Sequence, residues 1–195
     1  MSAVILITLV IGIFVGFILP ENISVLLNEA SSVMLLLLLF CVGIDMGRNK
    51  EAFFQIKRMG FRILLIPASV VVGSLLGGAV GALIMQTSLR EGLAITAGLG
   101  WYSLSGLLLT EAGNPIAGTV SFLANIFREI LTFVVVPVVA VRLNYASAIA
   151  PGGATSMDTT LGIISKHTDG QTAVLAFVNG VVCTLIVPLL IPLFL

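Results

Sequence analysis

The sequence predicts an all-α membrane protein with about five transmembrane helices and two re-entrant or broken-helix hairpins. The 195-residue chain is 58% hydrophobic and only 9% charged, which is too apolar for a soluble domain. Long runs, such as residues 33–42 and 181–195, contain almost no polar side chain. Two segments in the second half are instead interrupted by Gly, Pro, Ser and Thr, a pattern typical of secondary transporters.

Uninterrupted apolar runs predict the five spans, because about 20 helical residues cross a hydrocarbon core about 30 Å thick. The runs lie at residues 3–19, 31–46, 60–85, 119–141 and 172–195. The first run has no Lys or Arg before it and no small-residue cleavage site after it. We therefore expect a retained span rather than a signal peptide.

Charge predicts the orientation of these spans. Residues 48–62 contain most of the cations of the chain, namely Arg48, Lys50, Lys57, Arg58 and Arg62. The positive-inside rule places this loop, and hence the N-terminus, in the cytoplasm, as expected for a multi-pass protein of the cell inner membrane. The formal net charge is zero, so no basic face exists to follow a phosphate backbone and nucleic-acid binding is excluded.

The two interrupted segments, residues 92–112 and 147–167, belong to an internal repeat. A shift of 53 or 54 residues aligns Gly100 with Gly153, Ser103 with Ser156, and Asn125 approximately with Asn179. Each unit is a broken segment followed by one span, so the two units are predicted to have inverted topology. The chain is thus interpreted as one transporter domain, with leading helices at 1–91 and hairpin-helix repeats at 92–141 and 147–195.

The interruptions predict a polar cavity, because backbone that leaves helical geometry in lipid must be satisfied by protein or water. The candidate residues are the hairpin glycines Gly98, Gly100, Gly152 and Gly153, and the hydroxyls of Ser103, Ser105, Thr155, Ser156 and Thr159. Half-helices that begin at the breaks would direct their positive ends toward a substrate carboxylate. The alternative is that Gly and Ser only permit close helix packing.

Charged and amide side chains complete the candidate site. An aspartate at membrane depth is costly and indicates function, so Asp158 is interpreted as a group that exchanges a cation for a proton; the alternative is a charge in the first turn of a helix. Arg128 and Glu129 lie mid-span, where they could bind substrate or form a structural ion-pair network. Asn125 and Asn179 could bind a ligand or join helices.

Neither catalytic nor metal chemistry is predicted. The two cysteines, Cys41 and Cys183, lie in apolar runs without metal-ligand spacing, so we expect no cofactor. An intramembrane aspartyl protease would need paired carboxylates, such as Asp45 and Asp158. The sequence lacks the Gly-x-Gly-Asp pattern, which disfavours an enzyme.

Three stretches, GLGWYSLSGLLLTE, FLANIFREIL and GGATSMDTTL, resemble the bacterial lysine-exporter family of the LysO type. The resemblance extends over essentially the whole chain. It implies export of L-lysine and lysine analogues from the cytoplasm by proton antiport, with Asp158 at the position of the family's intramembrane carboxylate. A sodium- or proton-coupled carboxylate carrier, built on the same hairpins, is the alternative among transporters.

The resemblance also implies a partner. Typical members carry about three more spans before the region that matches Ala3, so the chain corresponds to the carboxy-terminal two-thirds of a full-length member. A homodimer or a separate subunit is expected to supply the missing helices. The chain could also be a subunit of a split exporter without activity alone.

Overall fold

The computed structural model describes residues 60–195 continuously, together with scattered positions between Ile7 and Phe54. The chain divides into two compact units, Met1–Ile44 and Asp45–Leu195, and the described helices of the second unit carry the candidate site. The predicted spans at 3–19 and 31–46, the basic loop and Asp45 lie almost entirely outside the described residues.

Residues 60–195 are helical apart from short connections, and no strand occurs within this range. A 3-10 turn, Phe61–Leu64, precedes the first α-helix. The α-helices are α1 (Leu65–Met85), α2 (Leu89–Thr96), α3 (Tyr102–Glu111), α4 (Pro115–Arg142), α5 (Tyr145–Ile149), α6 (Leu161–His167) and α7 (Gly170–Leu190), and a final 3-10 turn covers Ile191–Phe194.

Three stretches of the described chain are long and apolar enough to cross a membrane. They are Leu65–Met85, Pro115–Arg142 and Gly170–Phe194, and they correspond to the predicted third, fourth and fifth spans. Large apolar side chains project from them; Leu83 on α1 and Val134 on α4, for example, are 79% and 66% exposed. Exposed apolar surface of this extent suits lipid rather than water, and the predicted all-α membrane class is confirmed.

Capping residues set where the spans begin. The Asn114 side chain accepts a hydrogen bond from the Ala117 amide at 3.0 Å, and Pro115 occupies the first turn of α4, where its missing N–H is not needed. The Asp169 carboxylate accepts one from the Thr172 amide at 2.7 Å. Both spans therefore begin earlier than hydropathy alone predicts, because hydropathy does not detect a polar cap.

The two predicted interruptions are confirmed. Residues 97–101, here called the first break, separate α2 from α3, and residues 150–160, the second break, separate α5 from α6. The second break contains a 3-10 turn, Gly153–Met157. A long span follows each broken segment, so both units have the same element order; their inverted topology stays a prediction.

Packed helices support both breaks. Gly78 of α1 lies so close to α2 that a Cβ placed on Gly92 would approach the carbonyl oxygen of Gly78 to 2.6 Å. An apolar core of α4, α5, α6 and α7, centred on Val136, Ile149 and Ile164, lies under the second break. The breaks are thus irregular backbone inside a packed helical frame, which is the setting that allows such backbone in a membrane.

Candidate functional site

The two breaks contact each other through their backbones. The Ala154 amide donates a hydrogen bond to the Leu99 carbonyl at 2.8 Å. Gly153 has a φ of 56°, and the Leu99 carbonyl oxygen lies where a Cβ on Gly153 would be placed. Glycine is needed at this position for both reasons. The two breaks are therefore in direct contact, while their depth in the membrane stays a prediction.

Asn125 of α4 holds the first break. Its Oδ1 accepts the Gly100 amide at 2.8 Å, and its Nδ2 donates to the Ser121 carbonyl at 2.9 Å and to Ser105 Oγ at 3.2 Å. The side chain is only 4% exposed. A Cβ on Gly98 would lie 2.5 Å from the same Nδ2, so this glycine leaves room for the amide.

Asn179 of α7 holds the second break in a related way. Its Nδ2 donates to the Gly153 carbonyl at 3.0 Å and to Ser156 Oγ at 2.9 Å. The Ser156 hydroxyl in turn lies 2.7 Å from the carbonyls of both Gly153 and Ala176. Each long span thus contributes one buried asparagine to the break before it, and these contacts agree with the helix-joining alternative.

The serines do not match as the repeat alignment predicts. Ser103 is exposed, whereas Ser105 and Ser156 are both buried. Ser105 is the serine that contacts Asn125, so Ser105 rather than Ser103 is the structural counterpart of Ser156. Ser105 lies within the helix α3, whereas Ser156 lies within the 3-10 turn of the second break, so the two units place the contacting serine in different local structures.

Hydroxyls of the second break satisfy the break itself. Thr155 Oγ1 donates to the Gly152 carbonyl at 2.8 Å and lies 3.2 Å from Thr160 Oγ1. A Cβ on Gly152 would lie 2.7 Å from that Thr160 oxygen. Thr159 is half-buried and its hydroxyl contacts the carboxylate of Asp158. Thr155 and Thr160 thereby stabilise irregular backbone, as expected for break residues in lipid.

Arg128 of α4 ties the second break to the rest of the bundle. Its Nε donates to the Pro151 carbonyl at 2.9 Å, its Nη2 to the Ala150 carbonyl at 3.1 Å, and its Nη1 to Ser74 Oγ at 2.9 Å. The two carbonyls follow the C-terminus of α5, where a cation is favourable. Among the described residues, Arg128 forms no ion pair with Glu129 or Asp158.

The two candidate carboxylates have different surroundings. Glu129 is only 5% exposed, although no hydrogen bond or ion pair to another described residue holds it. Asp158 is exposed and accepts a hydrogen bond from the Thr159 amide through Oδ1. Both negative charges act on the Tyr102 hydroxyl at the start of α3. The three oxygen-bearing side chains therefore belong to one negatively charged region beside the joined breaks.

Sequence reasoning missed two side chains of this region. Tyr102 is absent from the predicted site, yet the charges of both carboxylates act on it and it packs edge-on against Phe122, with ring centroids 5.7 Å apart. Ser74, which accepts from Arg128, was not considered. Its signal was a hydroxyl in the glycine-rich middle of an apolar span.

The chemistry of the negatively charged region favours a cation. Carboxylates accept hydrogen bonds from ammonium groups, and such charge-assisted bonds are the strong ones. Within the described part of the chain, no group of three or more His, Cys, Asp or Glu side chains is placed to hold a metal ion.

Comparison with known proteins shows similarity to exporters of a cationic amino acid. The family model described as lysine exporter LysO matches residues 6–195. The chain is 38% identical over 167 residues to the lysine exporter LysO of Escherichia coli, an alignment that covers 86% of this chain and 55% of that relative. It is 32% identical over 185 residues to a putative lysine exporter of Haemophilus influenzae, covering 95% of this chain and 93% of the relative.

No solved structure matches the chain significantly. The family model nevertheless extends over both breaks and all three described spans. The chain spans about half the length of the Escherichia coli relative and nearly the full length of the Haemophilus influenzae one. By this match, the protein belongs to the lysine exporter LysO family.

Proposed function

We propose that the protein is a secondary transporter that exports L-lysine and lysine analogues from the cytoplasm by proton antiport. The observation that carries the proposal is the pair of carboxylates beside the joined breaks, Glu129 and Asp158, whose charges both act on the Tyr102 hydroxyl. The names of the two relatives supply the substrate. Lysine carries two ammonium groups and one carboxylate at neutral pH, so it needs more than one acidic partner.

The carboxylates would act by exchanging ligands. A deprotonated Glu129 or Asp158 binds an ammonium group of lysine, and protonation removes the negative charge that holds it. Protons that enter from the outside would therefore release lysine outward. Both charges also act on the Tyr102 hydroxyl, which makes Tyr102 a further candidate for contact with the substrate. Arg128 is occupied by carbonyls of the second break, so among the described residues it does not act as a fixed counter-charge for the two carboxylates.

Membrane placement follows from the basic loop. Residues 48–62 would face the cytoplasm, so the N-terminus would be cytoplasmic in the cell inner membrane. The two hairpin-helix repeats would then enter the membrane from opposite faces, with the joined breaks near the middle of the bilayer.

A partner is a second part of the proposal. The alignment to the Escherichia coli relative leaves nearly half of that protein unmatched, and a homodimer or a separate subunit could supply the equivalent helices. Reconstitution of the purified chain alone in liposomes tests this point. Proton-driven lysine flux by the chain alone would remove the need for a different subunit.

The test of the function is lysine uptake into everted membrane vesicles. Asp158→Asn and Glu129→Gln are each expected to reduce proton-driven uptake about ten- to hundredfold, the value of one charge-assisted hydrogen bond. Asp169→Asn is the matched control, since it removes a carboxylate outside the spans and keeps a capping side chain. Expression and monodispersity of every variant are measured by fluorescence size-exclusion chromatography.

Three results would contradict the proposal. Wild-type vesicles that take up no lysine would exclude this substrate. Undiminished uptake by both carboxylate variants would remove the carboxylates from the mechanism. Uptake that follows a sodium gradient and ignores the pH gradient would favour the sodium-coupled alternative instead of proton antiport.

A further inference from the structure

A cavity of about 210 Å³ lies beside Arg128. It is lined by Ser74 of α1, Ile95 and Thr96 of α2, and Ala124, Asn125 and Arg128 of α4. One water needs only about 10–15 Å³ of such space, so the cavity has room for a group much larger than one water. Its walls combine a guanidinium and a hydroxyl with apolar surface, which is typical of ligand sites.

Most polar atoms of the lining already have partners. Both Nδ2 hydrogens of Asn125 are engaged by Ser105 and Ser121, and the Thr96 hydroxyl donates back to the Gly92 carbonyl of its own helix. These side chains shape the cavity and offer it few donors. The donors that remain belong to Arg128 and Ser74.

Arg128 has capacity left for a ligand. A guanidinium carries five N–H groups, and three of them bind Pro151, Ala150 and Ser74. One N–H remains on each of the two terminal nitrogens. The Ser74 oxygen accepts from Arg128, so its own hydroxyl hydrogen is available as well. Two N–H groups of one guanidinium and a nearby hydroxyl match the two oxygens of a carboxylate.

Charge points to the same ligand. None of the six lining residues is acidic, and among the described residues no carboxylate pairs with Arg128. A cation withdrawn from water is stabilised by an opposite charge that also satisfies its hydrogen bonds. An anion in the cavity would provide Arg128 with an opposite charge and with acceptors for its remaining N–H groups.

We propose that the cavity beside Arg128 is a carboxylate subsite, which binds the α-carboxylate of the exported amino acid and makes the transporter prefer an amino acid to a diamine. The inference rests on the proposed export of lysine and adds the part of the site that recognises the amino-acid head group. The sequence suggested hydroxyl groups of the breaks as partners of the substrate carboxylate. Three of these are buried and already hydrogen-bonded within the breaks and their neighbouring helices, namely Ser105, Thr155 and Ser156. A free anion such as chloride has the same charge and is the competing occupant.

The test fills the cavity without removing any Arg128 hydrogen bond. Ala124→Leu places a larger apolar side chain in the lining, and Val134→Phe enlarges an exposed position of the same helix as a control. Uptake of labelled lysine and of cadaverine, which is lysine without its carboxylate, is measured in everted vesicles that contain the full chain. Binding of both compounds to the purified full chain is measured by isothermal titration calorimetry.

The wild type and Val134→Phe are expected to prefer lysine to cadaverine about ten- to hundredfold in binding and uptake. Ala124→Leu is expected to lose this preference, because lysine binding falls to the level of cadaverine while cadaverine is unaffected. Ser74→Ala, which leaves both carbonyl contacts of Arg128 in place, is expected to lose part of the preference.

Other outcomes overturn the subsite. Equal losses for lysine and cadaverine in Ala124→Leu would mean that the cavity is structural, and an unchanged preference would mean that the carboxylate binds elsewhere. Chloride that stimulates uptake of both compounds, with the stimulation lost in Ala124→Leu, would assign the cavity to a free anion. Wild-type vesicles without any lysine uptake would refute the export proposal, while calorimetry would still report whether the cavity distinguishes the two compounds.

Discussion

Replacement of Asn125 by alanine is expected to destabilise the protein by about 2–4 kcal/mol. The change removes the acceptor of the buried Gly100 amide, which lies 2.8 Å from Oδ1. A buried donor left without a partner costs about 1–3 kcal/mol. The bond to Ser105, at 3.2 Å, is lost as well, but Ser105 keeps its own contact to the Tyr102 carbonyl. That second loss adds about 0.5–1.5 kcal/mol.

Asn179→Ala is the matched comparison. The Gly153 carbonyl and the Ser156 hydroxyl lose the Asn179 amide, yet the two groups still face each other at 2.7 Å. The buried donor that loses its acceptor is the Cys183 thiol, 3.8 Å from Asn179 Oδ1, and a thiol is only a weak donor; an under-satisfied carbonyl is tolerated better than an orphaned N–H. We therefore expect a smaller loss of about 1–2 kcal/mol, from two ordinary hydrogen bonds.

The assay is equilibrium unfolding of the purified chain in mixed dodecylmaltoside and SDS micelles. Trp101, the single tryptophan of the sequence, ends the first break, so its fluorescence reports directly on the backbone that Asn125 holds. Circular dichroism at the helix minimum tests whether the rest of the bundle unfolds with it. A loss below about 0.5 kcal/mol for Asn125→Ala, typical of a surface position, would refute the reasoning. A loss of stability in Asn179→Ala larger than that in Asn125→Ala would refute it as well.

Three further predictions test other parts of the structure. Gly153→Ala is expected to cost about 2–4 kcal/mol in the same unfolding assay, because the φ of Gly153 is 56° and the new Cβ would meet the Leu99 carbonyl of the first break. The control is Gly162→Ala, which is expected to be neutral or stabilising because no atom lies within 4 Å of the added Cβ. Equal losses of stability in the two variants would contradict the close contact between Gly153 and Leu99. Hydrogen bonds from Thr172 hold the pKa of Asp169 below its ordinary 3.8. The ionised Asp169 carboxylate therefore stabilises the fold fully at pH values above 3.8, and this stabilisation disappears as the pH falls through the lower pKa of the folded state. Asp169→Asn is expected to remove this acid-dependent loss, measured as unfolding midpoints along a pH series, and a variant with the wild-type pH profile would exclude Asp169 as its source. Cys183, which is wholly buried, is expected to resist maleimide in a Cys41→Ser variant until SDS unfolds the chain; rapid labelling of the folded protein would contradict its burial.

Local composition made the breaks predictable. Glycines and hydroxyls inside apolar runs are unfavourable in a plain lipid-facing helix, so their clusters predict both interruptions. The asparagine in the first half of each following span was visible for the same reason. These features depend on neighbours in sequence, and the structure places Asn125 and Asn179 against the breaks that precede them.

Contacts between distant segments were not predictable in this way. Arg128 reaches the carbonyls of Ala150 and Pro151, and its third partner, Ser74, lies in another helix. Spacing along α4 could show that Arg128 and Glu129 face different directions, but not which elements would lie there. The alignment of Ser103 with Ser156 was wrong for a related reason. The serine that contacts the asparagine lies in a helix in the first unit and in a 3-10 turn in the second, which the sequence alignment does not show.

The comparison of Glu129 with Asp158 changes how the two carboxylates are weighed. Cost of burial was the reason for choosing Asp158 from the sequence, yet Asp158 is exposed and has a hydrogen-bonded neighbour. Glu129 is the buried one, at 5% exposure, and no described residue neutralises it. Because a carboxylate inside a membrane-spanning bundle is costly, the argument from burial applies to Glu129 at least as strongly as to Asp158. In the proposed export, Asp158, open beside the same breaks, would be the carboxylate that an arriving cation reaches directly.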